Sequence, residues 1–199
     1  MAGYHRFVFD TARKKFIGKF EEMYKTEDIE GYDSWHSFNL NTLPKKIHYS
    51  LLSSYNFGRI LDFDCGKGSF THLLKKSNNY VLGLDISETA IAKAKQYFGN
   101  IQDFRVIKNN DFKSVIGENK FDLTITLEAL SYVKNWPKVI KDISEFSSYL
   151  YIALYIPPKP IGFVKSFRDL TKVSSRYFHI LEKLIYNDES IFLFLENKK

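Results

Sequence analysis

Cysteine occurs once in the 199 residues, as Cys65, so no intramolecular disulfide can form and a disulfide-stapled scaffold is excluded. Proline is scarce too. Its densest stretch, Pro157 to Pro160, is too short for an interdomain linker and reads as a loop. No apolar run approaches the roughly 20 residues needed to cross a bilayer. Met1 to Lys25 lacks an apolar segment with a small-residue cleavage site, so no signal peptide and no membrane partner are expected, and a cytoplasmic location follows. Repeats and low-complexity tracts are absent. His5, His36, His48, His72 and His179 are scattered without metal-ligand spacing, and no His or second Cys stands near Cys65, so no metal site is expected. The formal charge of +6 is spread over many segments instead of forming a block, which argues against a nucleic-acid partner.

What is present is a large apolar fraction, 44%, with 18 Phe and 13 Tyr to fill a core and to wall a pocket. The length suits one domain. Residues 1–58 read as an N-terminal helical cap of that domain. An amphipathic helix is expected from Tyr4 to Tyr24, a second beginning near Asp33, and a third after Pro44. From residue 59 onward, short apolar runs alternate with amphipathic segments, the pattern of a mostly parallel α/β sheet with helices on both faces. The runs are Ile60 to Phe63, Tyr80 to Leu84, Phe104 to Ile107, Phe121 to Leu127 and Tyr149 to Ile156. Helices are expected over Ser69 to Lys76, Ser87 to Phe98 and Trp136 to Tyr149. A short helix near Ser166 to Thr171 precedes two further strands, Tyr177 to Ile185 and Ser190 to Leu195, which form an antiparallel hairpin closing a seven-stranded sheet.

The stretch Ile60-Leu61-Asp62-Phe63-Asp64-Cys65-Gly66-Lys67-Gly68-Ser69-Phe70-Thr71 runs from a buried strand through two close glycines into a helix. At the end of the first sheet strand, such a loop lets backbone approach a ligand. A dinucleotide site would need a third glycine where Thr71 stands, and Asp62 and Asp64 would repel a pyrophosphate while suiting a cation. Gly83-Leu84-Asp85-Ile86-Ser87 ends the next strand on a carboxylate that can accept from both hydroxyls of a ribose, with Ile86 against a base. Asn109-Asn110-Asp111-Phe112 follows the third strand, and Glu128-Ala129-Leu130-Ser131-Tyr132 follows the fourth.

Taken in order, these four stations resemble the class I S-adenosylmethionine-dependent methyltransferases, and their spelling is most similar to the nodulation protein S group, N-methyltransferases of an amino sugar. The resemblance implies a Rossmann-like class I methyltransferase fold. It implies S-adenosylmethionine as methyl donor and S-adenosylhomocysteine as product, held by Asp62, Asp64, Gly66, Gly68, Asp85, Ile86, Asn110, Asp111, Phe112 and Glu128. Asp64 departs from the family, which normally has a small residue there. The acceptor is expected to be a small molecule or sugar, methylated on N or O. Glu128 and His36 are the candidate bases, while Tyr32, Trp35, Tyr132, Tyr155 and Pro157 are the candidate acceptor wall. Ile156-Pro157-Pro158 follows the wrong strand to be the proline motif of enzymes that methylate base amines in DNA. Two other readings stay open here: a donor-binding regulatory protein without turnover, and an RNA methyltransferase.

Overall fold

The computed structural model describes residues 3–199. The single N-terminal helix expected from Tyr4 to Tyr24 is instead three elements: α1 (His5–Val8), a small antiparallel hairpin of β1 (Phe9–Asp10) and β2 (Lys15–Phe16), and α2 (Phe20–Glu30). Local chemistry explains the break. Asp10 accepts from the Arg13 N–H at 3.0 Å, and Lys14 and Gly18 take left-handed φ of 51° and 69°, which a continuing helix cannot accommodate. The helix expected at Asp33 is a 3-10 turn, Ser34–His36, in which Trp35 and His36 have φ of 61° and 47°. The carboxylate of Asp33 accepts from Ser37 Oγ and the Phe38 N–H, closing a turn instead of starting a helix. After Pro44 the expected helix is present as α3 (Leu43–Ser53).

The alternating half of the chain follows its pattern closely, as β3 (Arg59–Phe63), α4 (Ser69–Leu73), β4 (Tyr80–Asp85), α5 (Glu88–Phe98) and β5 (Asp103–Val106). A one-turn helix that the apolar periodicity did not reveal, α6 (Phe112–Ile116), comes next; its N-cap is Asp111, whose Oδ1 accepts from the Ser114 N–H. Then come β6 (Phe121–Leu127), α7 (Trp136–Phe146), β7 (Ser147–Tyr155), α8 (Phe167–Ser174), β8 (Phe178–Tyr186) and β9 (Ser190–Asn197).

The seven-stranded sheet has the order β5-β4-β3-β6-β7-β9-β8. Its first five strands are parallel, and β9 runs antiparallel to both β7 and β8. The β8–β9 hairpin turns on Asn187 and Asp188, both at positive φ. Leu61, Phe63 and Leu84 pack on one face with Ile140 and Ile143 of α7 and Leu170 of α8. Ile60, Leu123 and Ile125 pack on the other with Leu52 of α3 and Leu74, just past α4. Asp122, unassigned by sequence, staples the strand starts by accepting from the N–H groups of Gly58 and Arg59. Strand order reverses at β3, which lies between β4 and β6, so the crevice of the sheet opens at the carboxyl end of β3.

Candidate functional site

The glycine loop occupies that crevice. Gly66 and Gly68 have φ of 55° and 78°, and neither position has room for a side chain. A Cβ on Gly68 would stand 2.6 Å from the Phe104 ring, and one on Gly66 would stand 2.9 Å from the Tyr24 hydroxyl. Asp64, in the position where the family normally has a small residue, is itself left-handed at φ 63°, a conformation that Asp tolerates better than most residues.

Three carboxylates meet at this end of the sheet. Asp85 lies at the end of β4, buried, with Oδ2 accepting from the Gly66 N–H at 2.8 Å and Oδ1 from the Ser87 N–H at 2.9 Å. Asp62 is buried inside β3 and accepts from Thr71 Oγ1 at 2.6 Å. Asp64 is half-buried beside them. No lysine or arginine among the described residues pairs with any of the three. Burial, helped by the charge of Asp85, pushes Asp62 up to about 7. Burial likewise lifts Asp85 to about 6 against the N–H groups of Ser87 and Gly66, and raises Asp64 well above the usual range with help from Asp85 and Asp62. Among the described residues, no group of three His, Cys, Asp or Glu side chains is arranged to hold a metal ion. The cluster has the charge to suit an organic cation, and Ile86, next in sequence to Asp85, is an apolar side chain left 53% exposed.

The third station is divided. Asp111 is exposed and caps α6, and Asn110 has φ 54°, whereas the Phe112 ring is buried against Phe63 and Phe146, each 5.1 Å away. Phe112 therefore cannot offer its ring to a base, which corrects the expectation for that side chain, and Ile86 is the exposed apolar residue at this end.

Glu128 follows β6 with φ 61°, and its N–H donates to Ala153 O at 2.7 Å. Its Oε2 accepts from the Tyr155 N–H at 2.6 Å, joining two of the expected site residues across β6 and β7. Glu128 is an exposed residue, yet the surrounding protein desolvates its carboxyl enough to lift it to about 7. Trp35 and Tyr132 come together with ring centroids 5.4 Å apart, beside Phe20, Phe16 and Tyr4. Tyr32 lies within the cap, where its hydroxyl donates to Met23 O and meets Thr26 Oγ1. His36 is exposed, with its ring edge-on to Tyr4 at 6.1 Å, and Pro157 is half-buried just past β7.

Sequence reading missed Tyr24, Glu27 and Lys67. Lys67, between the two glycines, is 3% exposed and donates to Glu27 Oε1 and Asp33 Oδ1, each at 2.6 Å. The signal for Glu27 was a charge on the α2 face that buries Met23 and Tyr24.

A glycine loop at the strand-order switch, followed by an acidic end on the next strand and by the order β5-β4-β3-β6-β7-β9-β8, defines the class I methyltransferase fold. Residues 61–147, from β3 to the start of β7, match the family described as Methyltransferase domain. It is 30% identical over 112 residues, 55% of its length, to the Bacillus subtilis (strain 168) protein named "Putative methyltransferase YqeM", and the match spans 40% of that protein. In structure it is similar to the N-methyltransferase NodS of Bradyrhizobium japonicum WM9, solved with S-adenosylhomocysteine. That likeness has TM-score 0.68 at 16% identity over 88% of this chain and 98% of that one. The PH0226 protein of Pyrococcus horikoshii OT3 aligns with TM-score 0.68 and 18% identity over 84% of this chain and 100% of that one. S-adenosylmethionine is the donor that such a domain implies. No helix among the described residues is long and apolar enough to cross a membrane.

Proposed function

We propose that the protein methylates an N or O atom of a small molecule, a sugar or glycan precursor, with S-adenosylmethionine as donor. The observation that carries this reading is the group of uncompensated carboxylates, Asp62, Asp64 and Asp85, at the crevice, with the carboxylate of Glu128 following β6, the strand next to β3. When bound, the donor supplies a methyl group on a sulfonium sulfur. Asp85 would accept from the ribose hydroxyls, Gly66 and Gly68 would let the chain lie against the amino-acid portion, and Ile86, with Asn110 and Asp111, would hold the base. A carboxyl near 7 suits Glu128 to take a proton from an acceptor hydroxyl or ammonium close to neutral pH. His36, exposed on the cap, is the second candidate for that step. Trp35, Tyr132, Tyr155 and Pro157 would wall the acceptor and keep water out, while Tyr32 braces the cap behind them. The single cysteine and the lack of a membrane-crossing helix among the described residues fit a cytoplasmic enzyme.

The test is a labelled-methyl assay over amino sugars, sugars and other small amines and alcohols. With an acceptor in hand, kcat/KM rises with pH to a plateau above about 7, because the base must be unprotonated. Glu128→Gln should lower it about a hundredfold and flatten that limb. Donor binding without methylation of any acceptor would overturn the reading, and an unchanged profile in Glu128→Gln would remove that residue from the chemistry.

A further inference from the structure

Glu27, on α2, is 4% exposed and is the meeting point of four chain segments. Its Oε1 accepts from Lys67 of the glycine loop at 2.6 Å and from the Ser34 N–H at 2.6 Å, and its Oε2 accepts from Lys93 of α5 at 2.8 Å. Burial alone would raise its carboxyl, but the two lysines and the Ser34 N–H hold it below the usual range. Lys67 also donates to Asp33 and lies 4.8 Å from the Phe38 ring centroid, while Ser69 Oγ, just past the loop, donates to Ser37 O at 2.6 Å.

The position of Lys67 matters mechanically. A residue flanked by two glycines sits in the most permissive backbone of the molecule, and such a loop samples many conformations unless something fixes it. Here the fixing comes from a buried side chain pulled into the cap, and the next N–H on the other side, that of Gly66, is what Asp85 accepts from. The same α2 turn places the Tyr24 hydroxyl against Gly66, and the Ser34 contact shapes the turn that presents Trp35.

We infer that Glu27 is a positioning residue for the donor site: through Lys67 it holds the glycine loop against the cap and so sets how tightly and for how long the donor is retained. The inference rests on the methyltransferase reading above. Glu27→Gln leaves each lysine a second carboxylate, Asp33 for Lys67 and Asp28 for Lys93, so the fold should survive. S-adenosylhomocysteine is the probe, with its release followed by stopped-flow fluorescence and its affinity by calorimetry, well below the melting temperature.

Glu27→Gln should weaken affinity about tenfold, mostly through faster release. Lys93→Gln, which cuts only the link to α5, should lower the melting temperature and leave affinity near wild type. If Glu27→Gln does not fold, Asp33→Asn loosens the same lysine and should weaken affinity in the same direction. Equal affinities in wild type and both Glu27→Gln and Asp33→Asn would make Glu27 a structural residue and overturn the inference alone. Failure of the wild-type protein to bind the probe would overturn the methyltransferase reading with it.

Discussion

The glycine loop has carboxylates on both sides, and their surroundings could hardly differ more. Toward the sheet lie Asp62, Asp64 and Asp85, with no cation among them, and burial raises all three. Toward the cap lie Glu27 and Asp33, where burial is outweighed by hydrogen bonds, chiefly from Lys67, and both are lowered. A protein that can place two lysines in a buried network has the means to neutralise an acidic cluster, so leaving the other one without a cation costs stability that its hydrogen bonds to Gly66, Ser87 and Thr71 only partly offset. The paired group ties the glycine loop to the cap, and the unpaired group is the one proposed to face a positively charged ligand.

The comparison can be broken from either side. On the open side, Asp85→Ala removes the acceptor at the end of β4 and frees the Gly66 N–H, so S-adenosylhomocysteine affinity should fall by about 3 kcal/mol, roughly a hundredfold, by calorimetry. An affinity within about twofold of wild type would detach Asp85 from the site. On the paired side, Lys67→Met leaves Glu27 and Asp33 short of a partner. It should cost about 2 kcal/mol in denaturant unfolding, less than a fully orphaned buried charge because Lys93 still reaches Glu27. No loss of stability would show that the network is not holding the cap.

The two groups also titrate in opposite directions. Carboxyls that are raised in the folded state, Asp62 and Glu128 to about 7 and Asp85 to about 6, favour folding while protonated, so their contribution is lost as pH rises from about 4 through 7. Lowered carboxyls, Glu27 and Asp33 together with Glu21 at about 2, stabilise above their unfolded values near 4 and lose that contribution as pH falls. The ligand-free protein should therefore melt highest near pH 5 and lose a few degrees by about pH 8, and the donor should restore more of that loss than its uncharged-sulfur product does. A melting temperature that climbs steadily to pH 8 would contradict this. The smallest effect expected is that of Asp64→Gly, which relieves the left-handed backbone and removes one like charge, raising ligand-free stability by about 1 kcal/mol.

How much of this could be read from the sequence follows from how local each cause is. The sheet strands announced themselves because buried parallel strands are near-continuous apolar runs, and β6 begins and ends where expected, at Phe121 and Leu127. Glycines, aspartates and their spacing placed the crevice residues, since strand ends and turns follow short-range rules. The cap resisted reading because its structure depends on left-handed residues such as Lys14, Trp35 and His36, which carry no compositional mark. The ion network spans 40 residues between Glu27 and Lys67, so no window along the chain contains both partners. Phe112 read as a pocket residue because it follows an exposed turn, but α6 directs its ring into the core.

The most direct test of the central claim, that the unpaired carboxylates form the seat of a cationic donor, is to titrate the wild-type protein with S-adenosylmethionine near pH 7 in buffers of different ionisation heat. Binding should release protons, because a cation beside Asp62 and Asp85 draws their carboxyls down from about 7 and about 6 toward the ionised form. Binding with no proton release, or no binding, would contradict the account.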